Sequence, residues 1–234
     1  MVHSEIDDPE RAGLDVGIEV DLLRNYPKAS RDLTTRLMTK SDEVRAIARQ
    51  FGQEFFDGDR KHGYGGFSYN SKYWTPVIPD FEQHFGPLTN KSLLDVGCAK
   101  GFMLYDLTRL VPGIQVAGID ISEYSIQNSV PEMRSFLQVA DAKKLPFEDN
   151  SFDVVISINT IHNLDLEDCK EALREISRVS RGKSFVTVDA FSSEEERTRM
   201  MAWNLTAKTI LSVEDWISLF DEVGYEGDYF WFIP

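Results

Sequence analysis

The stretch Leu93-Leu94-Asp95-Val96-Gly97-Cys98-Ala99-Lys100-Gly101, with Phe102-Met103-Leu104-Tyr105-Asp106-Leu107 after it, constrains the fold of this chain more than any other. An apolar run that ends in an acidic residue, then a loop of small residues, then helical apolar spacing, predicts a strand, a tight turn and a helix. Glycine in such a turn permits left-handed backbone and lets main-chain N–H groups approach a ligand at the helix N-terminus. Val116-Ala117-Gly118-Ile119-Asp120 reads as the next strand. It ends in a carboxylate about twenty residues past the loop, where an acid is placed to accept hydrogen bonds from a ribose. These parts predict an α/β domain that binds a nucleoside.

A dinucleotide fingerprint needs a small residue at its last position, for close helix–strand packing over a pyrophosphate. That position here is the bulky Phe102. The spacing Asp95-x-Gly97-x-Ala99-x-Gly101 instead resembles motif I of the class I S-adenosylmethionine-dependent methyltransferases, with Ala99 in place of the usual middle glycine. The resemblance implies S-adenosylmethionine as cofactor and a binding set that starts at Asp95. Gly97, Cys98, Ala99 and Gly101 would run under its methionine portion, Asp120 would hold the ribose hydroxyls, and Ile121 would lie against the adenine. Cys98 itself reads as a small packing residue rather than a nucleophile.

Later segments are similar to the same family. Phe136 to Ala142 reads as a third strand, with Asp141 and Ala142 where the adenine amino group is met. Leu145 to Ser157 resembles the family's passage into the fourth strand, and Gly182 to Asp189 its fifth. The likeness runs from about Lys91 to Val188 and is weaker beyond. Alternating strands and helices independently imply a mainly parallel sheet with helices on both faces. The expected fold is α/β and doubly wound, with six or seven strands and an N-terminal helical elaboration. Its divisions are a poorly ordered tail at 1–16, a helical cover at 17–90 and the cofactor-binding domain at 91–234. A helix from Asp165 carries Leu166, Cys169, Leu173, Ile176 and Val179 on one face; Ser212-Val213-Glu214-Asp215 is a capping box for another. Tyr225 to Ile233 is the final strand, which leaves a seventh strand open.

The formal charge is -14, from 25 Lys and Arg against 39 Asp and Glu. Nucleic acid as the routine partner needs clustered cations on phosphates, so the balance argues against it, and against an anionic membrane. Solubility alone accounts for such a charge. Cys98 and Cys169 form no CxxC pair, the N-terminus is acidic rather than a secretory signal, and no apolar run approaches the roughly 20 residues of a membrane span. A cytoplasmic location is expected.

Ligands in open α/β sheets sit beyond the carboxyl ends of the strands. This draws attention to Asn159, Thr160 and His162 after strand four, and to Asp189 after strand five. Asn159 is grouped with the cofactor set. His162 has the pKa range of a general base, and the family resemblance strengthens that reading; a histidine hydrogen-bonded to structure is the alternative. Asp189 is a candidate acceptor-binding acid, with a salt bridge or a helix cap near Ser193 as its plainer role. Ser41 is expected to cap a helix bearing Val44, Ile47, Ala48, Phe51 and Phe55. The glycine- and aromatic-rich run Gly63 to Trp74 reads as an active-site cover, which makes Tyr64, Tyr69 and Tyr73 candidate acceptor contacts. An ordinary surface loop with aromatic anchors has the same composition. No metal is expected: the four histidines are scattered, and Asn159 stands where a catechol-type Mg²⁺ site would want an acid.

The residues after strand four, Ser157-Ile158-Asn159-Thr160, lack the Pro-Pro-aromatic segment of adenine-N6 methyltransferases and the paired glutamates of protein arginine methyltransferases. A small-molecule acceptor, methylated at O, N or C, is the leading expectation. A cofactor-binding module without catalysis, and another transferase using the same cofactor, are the alternatives.

Overall fold

A computed structural model describes residues 16–27 and 41–234. The tail expected at 1–16 falls, Val16 apart, outside the described residues. The strands are β1 (Ser92–Val96), β2 (Gln115–Asp120), β3 (Leu137–Val139), β4 (Val154–Ile158), β5 (Ser184–Phe191), β6 (Leu211–Ser212) and β7 (Asp228–Phe232). They form one sheet in the order β3-β2-β1-β4-β5, and both β6 and β7 pair with β5. Every pairing among the described strands is parallel, for example Leu94 beside Ala117 and Val155.

The helices are α1 (Asp42–Ala48), α2 (Gln53–Phe56), α3 (Ile78–Phe85), α4 (Phe102–Leu110), α5 (Glu123–Gln127), α6 (Leu166–Val179), α7 (Glu194–Trp203) and α8 (Val213–Val223). Side chains alternate along a strand, so strands covered on both sides split their apolar residues between two cores. Leu94, Val96, Val155, Val186 and Val188 pack with Cys169, Leu173 and Ile176 of α6 and Trp216 and Phe220 of α8. Leu93, Val154, Ile156 and Phe185 pack on the other face with Ile78, Phe81 and Phe85 of α3 and Leu104 and Leu107 of α4. Removing one of the buried rings, such as Phe81 or Phe220, costs about 3–5 kcal/mol. These two layers hold the carboxyl ends of β1, β2, β4 and β5 in fixed relation.

Local signals behave as their chemistry requires. Ser212 Oγ accepts the Asp215 N–H at 3.0 Å, and α8 ends on Gly224 at φ +68. Ser41 Oγ likewise accepts the Val44 N–H. The single helix expected through Phe55 is broken, however. α1 stops at Ala48, Phe51 turns left-handed at φ +48, and Gly52 begins α2. The third strand is shorter than expected, because Pro131–Phe136 is taken up by a 3₁₀ turn.

The strand that raises the count to seven is the two-residue β6, ahead of α8, while β7 is the final strand expected at 225–233. β7 runs parallel to β5 from Phe185 beside Asp228 to Asp189 beside Phe232. On its outer side Val20 N–H donates to Tyr229 O, and Tyr229 N–H donates to Ile18 O. The N-terminal segment thus satisfies the main-chain groups of the β7 edge, and Arg24 then ties it to Asp80 of α3. Edge N–H and C=O groups need such partners.

Candidate functional site

The loop from β1 to α4 has left-handed backbone at Gly97 (φ +92), Ala99 (φ +48) and Gly101 (φ +76). The N–H groups of Gly97 and Cys98 both donate to Ile119 O, which folds the loop back over β2. A Cβ on Gly97 would lie 2.1 Å from Thr160 Oγ1, so only glycine fits beneath the turn after β4. Ala99 holds a conformation that costs an L-residue roughly 1–2 kcal/mol. In that pose its N–H donates to Asp120 Oδ2 at 2.8 Å. Cys98 is packed against Gly118, and burial pushes its thiol pKa well up, as suits a filler.

Asp120 is the hub. Its Oδ1 accepts the Ser122 N–H at 2.8 Å, so both carboxylate oxygens are aimed by main-chain donors. The carboxylate is 8% exposed, and burial raises its pKa against those hydrogen bonds. Asp95, 6% exposed, is pushed up to about 8, by burial first and by the Asp120 charge second. Two buried carboxylates at the ends of adjacent strands favour hydroxyl donors and positive charge. S-adenosylmethionine carries both: ribose hydroxyls, an ammonium and a sulfonium. The donor set fits that group, with Asp120 to hold the sugar and the pair to offset the cation. Ile121 presents an exposed apolar side chain just beyond Asp120. Ala140 N–H donates to Asp120 O, which brings Asp141 and Ala142 alongside; Asp141 Oδ1 accepts the Lys143 N–H, and Ala142 is buried.

The turn after β4 has a different character from the one expected. Asn159 is left-handed (φ +52); its N–H donates to Thr187 Oγ1 and its Oδ1 accepts from the same hydroxyl. Its side-chain oxygen therefore serves the β4–β5 junction. His162 lies on the 3₁₀ turn Ile161–Asn163 and is 4% exposed. Its Nδ1 is 3.2 Å from the Asp189 N–H, which must donate, and its Nε2 faces Asp189 Oδ1 at 3.8 Å. Burial lowers its pKa, and Asp189 partly opposes this. A neutral imidazole that accepts at Nδ1 carries its proton on Nε2. In this arrangement Nδ1 is engaged by the Asp189 main chain and Nε2 faces the Asp189 carboxylate, so both ring nitrogens are directed to β5. Asp189 does not cap α7; Ser193 does, while the Asp189 carbonyl accepts from Trp216 Nε1.

In the aromatic segment each of the three tyrosines has partners within the protein. Tyr69 OH donates to Asp106 Oδ1 on α4 and accepts from Arg109 Nη1. Tyr73 packs on Tyr26, with ring centroids 5.3 Å apart. Tyr64 joins a cluster with Phe55, Phe56 and Phe67. The polar groups that seat the cover are Lys100, Asp57, Ser122 and Arg49, none of which the sequence reading singled out. A lysine inside a loop of small residues was the one available signal. Among the described residues no group of three His, Cys, Asp or Glu side chains could hold a metal ion.

Residues 94–188 match a family described as methyltransferase domain. The tRNA (carboxymethyluridine(34)-5-O)-methyltransferase of Arabidopsis thaliana is 34% identical over 128 residues, 53% of this chain and 30% of that protein. Demethylmenaquinone methyltransferase of Lactococcus lactis is 31% identical over 150 residues, 61% of this chain and 56% of that protein. The chain thus spans less than two thirds of the length of these relatives. Among solved structures, the YcgJ protein of Bacillus subtilis shares the fold with a TM-score of 0.50 at 18% identity, over 62% of this chain and 66% of that one.

Proposed function

We propose that the chain, whose residues 94–188 match a methyltransferase domain, is a class I S-adenosylmethionine-dependent enzyme that transfers the cofactor's methyl group, by in-line displacement, to a nucleophile on a small molecule. The observation that supports this most is the Asp120 carboxylate, aimed by the N–H groups of Ala99 and Ser122 beside the second buried acid, Asp95. When bound, the cofactor supplies a methyl group on a positively charged sulfur. The protein's part is alignment: holding sugar and methionine portion so that nucleophile, carbon and sulfur are collinear lowers the barrier by about 7–11 kcal/mol. Charge disperses as the sulfonium becomes a thioether, so excluding water helps, and the aromatic cover is placed to do that. Asp189 and His162 form a polar floor at the ends of β4 and β5, where an acceptor would be oriented.

The small-molecule reading rests on the acidic balance and on the cover. The Arabidopsis relative's name raises tRNA as an acceptor, but 25 cationic residues against 39 acidic ones offer little to phosphates. No helix among the described residues is long and apolar enough to cross a membrane. Two buried free cysteines suit the reducing cytoplasm, where we place the protein.

Calorimetry with S-adenosylmethionine and S-adenosylhomocysteine tests the cofactor: binding is expected, and Asp120→Ala should abolish most of it. Absence of heat with either compound overturns the reading. Incubation with isotopically labelled methyl donor, against a small-molecule extract and against total RNA, tests the acceptor. Label confined to the RNA would replace the small-molecule class.

A further inference from the structure

Lys100 lies in the glycine loop, between the left-handed residues Ala99 and Gly101. Its side chain is nonetheless buried, at 6% exposure. The ammonium donates to Asp57 Oδ1 at 2.9 Å, Asp57 Oδ2 at 2.7 Å and Phe67 O at 2.8 Å, which uses all three of its protons. All three acceptors belong to the cover. Asp57 also accepts from Tyr124 OH and from Phe67 N–H, and the rings of Phe67 and Tyr124 lie about the ammonium at 6.0 and 5.8 Å.

A second strut runs in parallel. Ser122, whose N–H aims Asp120, gives its hydroxyl proton to Phe51 O. The same cover segment is pinned at its other end: Arg49 donates through Nε to Thr206 O and through Nη2 to Ala207 O. The next two residues, Lys208 and Thr209, donate their N–H groups to His162 O. Residues 49–67 are therefore a strap from the cofactor loop to the segment that holds the acceptor-side histidine.

We propose that Lys100 is a positioning residue which, through Asp57, makes cofactor binding and closure of the acceptor chamber one cooperative event. The inference rests on the methyltransferase reading above. With the strap lifted, the Lys100 ammonium gives up the three acceptors that seat it; with the strap down, it is paired and the loop is held for the ligand. The three charge-assisted hydrogen bonds form only with the strap down, where they are shielded from water, so loop and strap favour their closed arrangements together. Such coupling is reciprocal: whatever the strap contributes to cofactor affinity, the cofactor returns to strap closure.

Trypsin cleavage after Arg60 and Lys61 in the strap, with and without saturating S-adenosylhomocysteine, reads closure directly. Calorimetry with the same compound reads affinity. In the wild type the ligand should slow strap cleavage by about 10-fold, within the range usual for coupled sites. Lys100→Met, Asp57→Asn and the double variant should each weaken affinity by a similar factor of about 10 and lose the protection. Lys100→Arg should restore part of both. Asp57→Asn keeps the test decisive if Lys100→Met fails to fold, since Asp57 lies on the cover outside the two cores. Wild-type binding with full affinity and protection in both single variants overturns the coupling alone. No binding to the wild type overturns the functional reading, and the coupling with it.

Discussion

Asp95→Asn removes an ionisable group from beneath the glycine loop while keeping the shape of the side chain. Asp95 lies at the carboxyl end of β1, 6% exposed, and its pKa is pushed up from 3.8 to about 8. Since the folded-state pKa is the higher one, the folded protein keeps this proton between pH 4 and 8 while the unfolded chain has lost it. Stability from this group is therefore fully present below about pH 4 and falls as pH rises to about 8. Each pH unit in that window is worth a little over 1 kcal/mol, which bounds the whole effect at roughly 6 kcal/mol. Relaxation of the loop and entry of water reduce this to a few kcal/mol. Urea unfolding of both proteins, without cofactor, at intervals from pH 5 to pH 9 measures it. The wild type and Asp95→Asn should be similar near pH 5, and the variant should be the more stable at pH 9. A stability difference that stays constant with pH, or a wild type that wins at pH 9, would refute the account. The acid's destabilising effect has a functional counterpart: binding of a cationic cofactor should ionise Asp95, so calorimetry at pH 7 in buffers of different ionisation heat should register proton release in the wild type but not in the variant.

Other consequences follow from the same geometry. Ala99→Gly relieves left-handed strain of about 1–2 kcal/mol but adds about 0.5–1 kcal/mol of unfolded-state entropy, so thermal unfolding should show a gain of up to about 1.5 kcal/mol; a loss of stability would mean the methyl group packs usefully. Gly97→Ala should lower both stability and S-adenosylhomocysteine affinity through collision with Thr160, and Thr160→Ala added to it should recover part of each; an additive pair would place the clash elsewhere. His162→Leu removes the Nδ1 that accepts the Asp189 N–H and should cost about 1–3 kcal/mol, whereas His162→Asn supplies an oxygen and should recover much of it. Equal losses in urea unfolding for the two variants would show that this hydrogen bond is not what His162 provides.

What the sequence determined by itself was whatever short-range chemistry decides. Apolar period separates strand from helix within a few residues, so β1, β2, β4, β5, α6 and α8 were legible. Glycine's access to left-handed backbone marked the loop, and Ser212 with Asp215 marked the start of α8. The placement of Asp120 near Ala99 also followed, since parallel β1 and β2 bring their carboxyl ends together. Tertiary structure alone decided which polar groups meet across long stretches of chain. Lys100 finds Asp57 at a separation of 43 residues, Arg49 finds Thr206 at 157, and Val20 lies beside Tyr229. Such partners leave no period in the sequence, and the hydrogen bond between the Asp189 main chain and His162 leaves none either. The physical reason is one of range: backbone preference acts within a turn or two, whereas desolvation and the pairing of buried charges depend on everything the packed chain brings near.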